Sequence, residues 1–215
     1  MQHLVKSISY SQDEILKNII TLYNSGKTFE VDPCYSKGKF YKDIDRPQYC
    51  FDIEPQFDYV EKHDCRQLPF EDESVNSIIF DPPFLATKGP SLTDNKNNNH
   101  INKRFGVYPT EKELFQMYKD SIKEFDSVLK QNGLLVIKCQ DKVSGGKQYM
   151  SHVAIINYCN QLGLYCEDLF VLLAKNRLVA DWQVKNQKRS RKYHCYFLVF
   201  RKNSKKVEQV NSDMY

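Results

Sequence analysis

The sequence predicts an α/β fold in which helices cover both faces of a mostly parallel sheet. Short apolar strands alternate with helical segments along most of the 215 residues, and several strands are apolar on both faces. Most of the strands predicted in the first half of the chain end at an Asp-Pro or Glu-Pro sequence, because proline cannot donate to a central ladder. The last two strands have no helix between them, which favours an antiparallel hairpin at one edge.

Helical periodicity and capping residues together predict three helices. Ser11 and Thr110 are placed to cap the first two, Asn132-Gly133 to stop the second, and Gly163 to end the third. The helices are expected over 12–25, 111–131 and 151–162. The strands are expected over 28–31, 48–53, 59–62, 75–80, 134–139, 169–173 and 193–200.

We expect a single domain over 1–202, followed by a polar tail over 203–215. Within the domain, 85–110 has no periodicity and contains an Asn-rich run. Loops longer than about 12–15 residues in a compact domain are usually functional or disordered. We therefore expect 85–110 to be a flexible substrate-recognition loop.

The composition suits a soluble globular protein, with 41% apolar and 27% charged residues. No apolar run is long enough to span a bilayer, and the N-terminus lacks the apolar centre of a signal peptide. A cytoplasmic protein without a membrane partner is therefore expected. The seven cysteines are odd in number and include no CxxC pair, which favours reduced thiols over disulfides or a zinc site.

A basic segment over 185–192 holds five Lys or Arg residues and no acid. Such a cluster favours a polyanionic partner, and the alternative is a solvated turn between two strands. The residues predicted to contact nucleic acid are Lys188, Arg189, Arg191 and Lys192.

Acidic residues follow four consecutive predicted strands. They are Asp32, then Asp52 and Glu54, then Asp64, then Asp81. Ligands of an open parallel sheet bind at the carboxyl ends of its strands, and an acid after the second strand is placed to hold ribose hydroxyls. Because clustered carboxylates repel one another unless a ligand or water separates them, the pattern indicates a binding site.

The turn after the fourth strand is Asp81-Pro82-Pro83-Phe84. Two prolines make it rigid and fix the Asp81 carboxylate and the Pro82 carbonyl, which are both acceptors. Such a pair suits an amino group with two N–H bonds on an aromatic base, and Phe84 can stack on that base. A purely structural turn is the alternative.

This Asp-Pro-Pro-Phe motif resembles that of amino-group methyltransferases, which include DNA N6-adenine and N4-cytosine methylases and some RNA methylases. Residues 29–38, 51–55 and 63–69 are similar to the family's first three motifs. The resemblance implies a Rossmann-like, seven-stranded class I methyltransferase sheet with an antiparallel edge strand. It also implies S-adenosylmethionine as methyl donor, no metal, and base flipping for a duplex substrate.

The resemblance also implies which residues hold the cofactor. The family's first motif is usually glycine-rich, whereas this chain has only Gly38 late in that loop, so a different hold on the methionine end is expected. The cofactor-binding candidates are Asp32, Pro33, Cys34, Tyr35, Ser36, Asp52, Ile53, Glu54, Asp64 and Cys65. The catalytic candidates are Asp81, Pro82, Pro83 and Phe84.

The leading hypothesis is methylation of DNA at adenine N6, ahead of cytosine N4. The alternatives are an RNA base methyltransferase, for example acting on guanine N2, and a catalytically silent nucleic-acid-binding subunit. Protein glutamine methylation is disfavoured because that related site usually has Asn at the position of Asp81. Cys139, His63 and His194 are expected to be structural, residues 144–147 to form a flexible loop, and Lys138 and Gln140 to line the pocket or a solvated edge.

Overall fold

A computed structural model describes residues 4–84, 86, 108–176 and 187–203. Within these ranges lie three helices, α1 (Gln12–Tyr23), α2 (Glu111–Val128) and α3 (Ser151–Leu162). None of the three has the length and apolarity that crossing a bilayer requires. Of the predicted loop 85–110 only 86 and 108–110 are described, and of the predicted tail 203–215 only 203, so the rest of both lies outside the described residues.

Ten strands lie in the same ranges. They are β1 (Ile8–Ser9), β2 (Val31–Asp32), β3 (Tyr49–Asp52), β4 (Glu61–Lys62), β5 (Val75–Phe80), β6 (Leu129–Cys139), β7 (Lys142–Ser144), β8 (Lys147–Tyr149), β9 (Leu164–Leu173) and β10 (His194–Lys202). β7 and β8 pair only with each other, and the other eight form one sheet in the order β1-β9-β10-β6-β5-β2-β3-β4.

The sheet is mixed and mostly parallel, which confirms the predicted α/β class. Only β10 runs antiparallel to its neighbours, pairing with β9 on one side and β6 on the other. The sheet has eight strands rather than seven because the two-residue β1 adds parallel to β9. Because β1 is the edge strand on this side, the antiparallel β9–β10 pair is not at the edge of the sheet.

Alternating side chains of the central strands form a core on each face of the sheet. On β5, Ile78 and Phe80 face α2 and α3, whereas Ile79 faces α1. On β6, Leu135 and Ile137 face the first side and Leu134 and Val136 the second, and all of these side chains are fully buried. The uninterrupted apolar sequence of these strands therefore reflects burial on both faces.

The second helix is shorter than the sequence predicts. It ends at Val128, and Leu129 already belongs to β6, where it pairs with Val75. Asn132 takes a positive φ of 62° and the register of the β5–β6 pair shifts beside it, so Asn132-Gly133 forms an irregularity within a strand instead of a helix stop. The prediction was wrong because the buried Leu129 fits both the helical stripe and the strand.

Three other strands begin two to five residues from their predicted positions. β2 begins at Val31 instead of 28, β4 at Glu61 instead of 59, and β9 at Leu164 instead of 169, while β1 was not predicted. The caps at Ser11 and Thr110 are confirmed, since their hydroxyls accept from the backbone N–H of Glu14 and Glu113. Gly163 ends α3 in the left-handed conformation as predicted, with a φ of 93°.

Substitution of Phe125 tests the packing of the core between α2 and the sheet. Its side chain is fully buried and its ring contacts Phe80 edge-on, with 4.9 Å between centroids. Phe125→Ala should lower the free energy of unfolding by about 3–5 kcal/mol, since the cavity adds to the lost burial. Chemical denaturation measures this, with Phe57→Ala as a control because Phe57 is 40% exposed. Equal losses in the two variants would contradict the predicted packing.

Candidate active site

The carboxyl ends of β2, β3, β5 and β6 surround a cavity of about 640 Å³, which we call the first cavity. A cavity of this size is in the range of small-molecule sites. It brings together most of the candidates that the sequence singles out. The predicted residues in its wall are Asp32, Pro33, Cys34, Tyr35, Ser36, Asp52, Ile53, Asp64, Cys65, Asp81 and Pro83. Glu54 does not line it and is exposed on the surface.

Asp32 is the most deeply buried acid of the site, with 3% of its surface exposed. Its carboxylate accepts from the backbone N–H of Cys34 at 2.9 Å and from the hydroxyl of Tyr41 at 2.6 Å. Burial raises the pKa of Asp32 to about 7, against the effect of these two bonds and with a smaller contribution from the nearby Asp81. The carboxyl can therefore change its charge near neutral pH.

Asp52 stabilises the glycine-poor turn after β2. One of its oxygens accepts from the backbone N–H of Ser36 at 2.8 Å and the other from that of Glu54 at 2.9 Å. Ser36 has a φ of 53°, and Gly38, at 58°, packs so closely under Tyr35 that a Cβ would lie 2.5 Å from its hydroxyl. Carboxylates at Asp32 and Asp52 thus bind the turn's backbone N–H groups, and glycine is needed at Gly38 alone.

Asp64 is engaged by its own turn. Its carboxylate accepts from the backbone N–H of Arg66 at 2.9 Å and from the guanidinium at 2.9 and 2.5 Å. Arg66 therefore holds the pKa of Asp64 below its usual value. The thiol of neighbouring Cys65 lies 3.2 Å from the hydroxyl of Ser121, which places this turn against α2.

The Asp-Pro-Pro-Phe turn is held through its carbonyl groups. Tyr118, buried in α2, donates to the carbonyl of Pro83 at 3.2 Å, and Lys142 donates to that of Phe84 at 2.5 Å. Within the described part of the chain, no hydrogen bond to the carbonyl of Pro82 is found. Pro82 itself is buried and, unlike Asp81 and Pro83, is not in the wall of the first cavity.

Lys138 lies beside Asp81. Its ammonium group is 3.4 Å from the Asp81 carboxylate and 3.0 Å from Gln12, and the side chain is only 13% exposed. Desolvation raises the pKa of Asp81 above its usual value, and the charge and hydrogen bond of Lys138 oppose this rise. The cation therefore favours the ionised form of Asp81. It also packs on Phe40, 4.7 Å from the ring centroid.

A second cavity of about 350 Å³ lies on the other side of Phe84. Pro83 lines the first cavity and Phe84 the second, so the turn stands between them. Its wall is mainly apolar, with an ion pair of 2.7 Å between Lys142 and Glu111. The wall also includes Leu114, Phe115, Tyr118, Gln140, Tyr149, Met150 and Ile155.

The sequence alone leaves Lys138 and Gln140 open between a cavity wall and a solvated edge. The structure places Lys138 in the wall of the first cavity and Gln140 in that of the second. A lysine within an otherwise apolar strand is the signal that favours the first assignment. Other cavity residues were not selected from the sequence. Lys37, Lys39, Phe40 and Arg66 follow selected residues closely in the chain, whereas Gln12, Tyr108 and Met117 come from distant elements.

The remaining candidates lie in different surroundings. Cys139 is fully buried, and burial raises its thiol pKa, as a core thiol requires. His63 lines the first cavity with its ring against Phe51, whereas His194 contacts the hydroxyl of Tyr196 at 2.9 Å. Within the ranges described, no group of three or more His, Cys, Asp or Glu side chains could hold a metal ion.

The basic segment lies at a distance from the first cavity, and none of its described residues lines it. Lys188 and Arg189 are exposed, while Arg191 and Lys192 are half-buried. Lys192 contacts the hydroxyl of Ser190 at 3.2 Å. Four of its five cations are described, since 185 lies outside the described residues.

The ion pair between Glu111 and Lys142, whose side chains are 14% and 12% exposed, can be tested by a double-mutant cycle. Glu111→Leu should lower the free energy of unfolding by about 1–3 kcal/mol, because it leaves the largely desolvated Lys142 ammonium group with the Phe84 carbonyl but no anion. Adding Lys142→Met should recover most of that loss. Denaturant unfolding measures all three variants, with Lys123→Met as an exposed control. Additive losses would contradict a coupled pair.

Comparison with known proteins identifies the fold. No protein-family model and no curated protein matches the chain. A structure assigned as a sarcosine dimethylglycine methyltransferase from Galdieria sulphuraria is similar at 14% identity, with a TM-score of 0.52 over 89% of this chain and 85% of that one. A complex of the Haloferax volcanii Trm112 methyltransferase activator with its assigned methyltransferase is similar at 13% identity. Its TM-score is 0.50 over 88% of this chain and 88% of that one.

DNA-methylase structures are also matched, over a smaller region. One assigned as a DNA modification methylase from Thermus thermophilus, complexed with S-adenosyl-L-methionine, has 17% identity and a TM-score of 0.46 over 69% of this chain and 57% of that one. The chain spans about half the length of these structures, between 48% and 57%. The Galdieria and Haloferax structures each cover nearly the whole chain. Their similarity shows that this protein has the α/β fold of methyltransferases.

Proposed function

We propose that the protein transfers a methyl group from S-adenosylmethionine to an exocyclic amine of a nucleic-acid base, with adenine N6 in DNA as the leading acceptor. The observation that carries the proposal is the Asp-Pro-Pro-Phe turn between two cavities. Asp81 lines the first cavity and Phe84 the second, and the carbonyl of the buried Pro82 between them would be the second acceptor beside the Asp81 carboxylate.

The first cavity suits the proposed cofactor in charge and in polarity. S-adenosylmethionine carries a positive sulfonium and supplies the methyl group when bound. The buried Asp32 provides negative charge when it is ionised, while Ile53, Phe40 and Met117 provide apolar wall. The residues that would hold it are Asp32, Pro33, Cys34, Tyr35 and Ser36 for the methionine end, and Asp52, Ile53, Asp64 and Cys65 for the nucleoside.

In this proposal, the catalytic groups are in the Asp-Pro-Pro-Phe turn. Asp81 and the Pro82 carbonyl would accept hydrogen bonds from the two protons of the amine, which makes the nitrogen lone pair available for attack. Asp81 can then take up a proton that the nitrogen loses, and Lys138 keeps the carboxylate ionised until then. Catalysis would consist of positioning and electrostatics, without a covalent intermediate.

The second cavity is the proposed site of the acceptor base. Its wall carries the rings of Phe84, Phe115, Tyr118 and Tyr149, which suit a planar aromatic guest. Phe84 is fixed through its carbonyl by Lys142, so its ring is positioned before a base arrives. The amine of a base stacked there would face the Asp81 turn.

The direct test is methyl transfer from labelled S-adenosylmethionine to duplex DNA, single-stranded DNA and RNA, with the product nucleosides identified by mass. N6-methyladenine from DNA would support the leading proposal. N2-methylguanine or another RNA product would replace it with an RNA methyltransferase. Cofactor binding without any product would favour a catalytically silent subunit, and no cofactor binding would overturn the proposal.

Asp81→Ala tests the role of the turn. Transfer should fall by about 10²–10⁴-fold, because the amine loses its acceptor and proton-accepting group. Cofactor affinity, measured by calorimetry, should change little. Asp43→Ala is the matched control, since Asp43 is exposed and does not line the cavity. Full turnover by Asp81→Ala would exclude the proposed mechanism.

The pKa of Asp32 predicts a pH dependence of cofactor affinity. Above a pKa of about 7 the carboxylate is ionised and attracts the sulfonium, and below it this attraction is lost. The Kd for S-adenosylmethionine should therefore fall as the pH rises from 6 to 8, by about fivefold if the bound cation lowers the carboxyl pKa from about 7 by about one unit. Calorimetry at each pH measures the effect.

Two controls make this test specific. Asp32→Asn should flatten the pH profile, because the amide does not titrate in this range. S-adenosylhomocysteine, whose sulfur is neutral, should show a weaker dependence than S-adenosylmethionine. A wild-type profile that is flat between pH 6 and 8 would assign the sulfonium to another part of the cavity.

A further inference from the structure

The Gly-Gly segment after β6, predicted as a loop, forms the turn of a two-stranded hairpin. β7 and β8 pair antiparallel, with Ser144 opposite Lys147. The two loop residues, Gly145 and Gly146, have φ values of 55° and 75°. Positive φ at both central positions is the geometry of the tight two-residue turns that suit a twisted hairpin.

The hairpin rises from the rim of the second cavity. Lys142 at its base is paired with Glu111 and donates to the carbonyl of Phe84. Tyr149 at its other end, together with Met150, lines the same cavity. The tip is therefore connected through short, bonded strands to the turn that carries Asp81.

The basic segment is attached to this tip. The guanidinium of Arg189 donates to the carbonyl of Gly146 at 3.2 Å, which joins two parts of the chain that are 43 residues apart. Lys147, Lys188 and Arg189 are all exposed. Neither 142–150 nor 187–194 contains an acidic residue. The contact therefore creates one cationic surface from two segments that are separate in the sequence.

We propose that the β7–β8 tip and the basic segment form a DNA-contacting surface that holds the backbone phosphates beside the acceptor base. This rests on the proposed function, because the base is placed in the second cavity. Three exposed cations, on and beside the tip of a hairpin whose base lines that cavity, complement the charge of a phosphodiester backbone. Such contacts position the strand without specifying its sequence.

The position of the surface also distinguishes it from a solvated turn. A turn that is only solvated makes no contact with a second loop, whereas the Arg189 guanidinium donates a hydrogen bond to the hairpin. The strand pairing of Lys147 with Ser144, together with the bond from Lys142 to the Phe84 carbonyl, sets where Lys147 lies relative to the Asp81 turn. A fixed cation near the base would lower the cost of orienting a flipped nucleotide.

The test uses the full chain with three variants, Lys147→Gln, Arg189→Gln and their combination. Binding to duplex DNA and to single-stranded DNA is measured by fluorescence anisotropy between 50 and 300 mM salt. Each single variant should reduce the slope of log K against log salt by about 1, and the double variant by about 2. In methyl transfer, KM for DNA should rise while kcat and the Kd for S-adenosylmethionine stay unchanged.

Two controls separate a phosphate contact from a loss of structure. Lys27→Gln removes an exposed charge that precedes β2, at the opposite end of the sheet, and should behave as wild type. Lys147→Arg keeps the charge and should restore the slope. Wild-type slopes in all of the Gln variants would overturn the surface while leaving the proposed function intact. A wild-type protein that neither binds nor methylates DNA would overturn both.

Discussion

The contact between Lys138 and Asp81 is the constraint around which the candidate site is organised. A sheet that buries both faces has little place for charge, yet β6 carries a lysine that is only 13% exposed and lies 3.4 Å from the Asp81 carboxylate. Burial alone would favour a neutral Asp81, which could not accept two hydrogen bonds equally well. The ammonium group offsets that effect, so the carboxylate can remain charged at the bottom of a cavity.

The hydrogen bonds of the Asp-Pro-Pro-Phe turn leave some of its acceptors without a protein donor among the described residues. Its prolines have no N–H groups to satisfy, and two of its carbonyls are taken by Tyr118 and Lys142. Among the described residues, none donates to the carbonyl of the buried Pro82, next to the Asp81 carboxylate in the first cavity. A buried acceptor without a partner is costly in a protein. A donor on the ligand would offset that cost.

Much of this could be predicted from the sequence, because the signals were local. Proline after an acid marks the ends of β3 and β5, and the order of strands and helices predicts the parallel sheet that brings Asp32, Asp52 and Asp81 to one edge. The helix end at Val128 could not be predicted, since Leu129 satisfies two periodicities. Nor could the contact of Arg189 with Gly146, because no local pattern relates residues that meet only in the folded chain.

The glycine-poor turn after β2 shows how an unusual motif can still leave a binding site. Asp32 and Asp52 accept the backbone N–H groups of Cys34, Ser36 and Glu54, so those groups are turned toward protein carboxylates. A ligand's own carboxylate would then find no free N–H group at these three positions. At this turn the cavity should therefore bind the cationic groups of a ligand in preference to its anionic ones, which would have to meet the side-chain cations Lys37, Lys39, Arg66 and Lys138 of the same wall. That preference agrees with a sulfonium-bearing cofactor, and it arises from the residues that replace glycine.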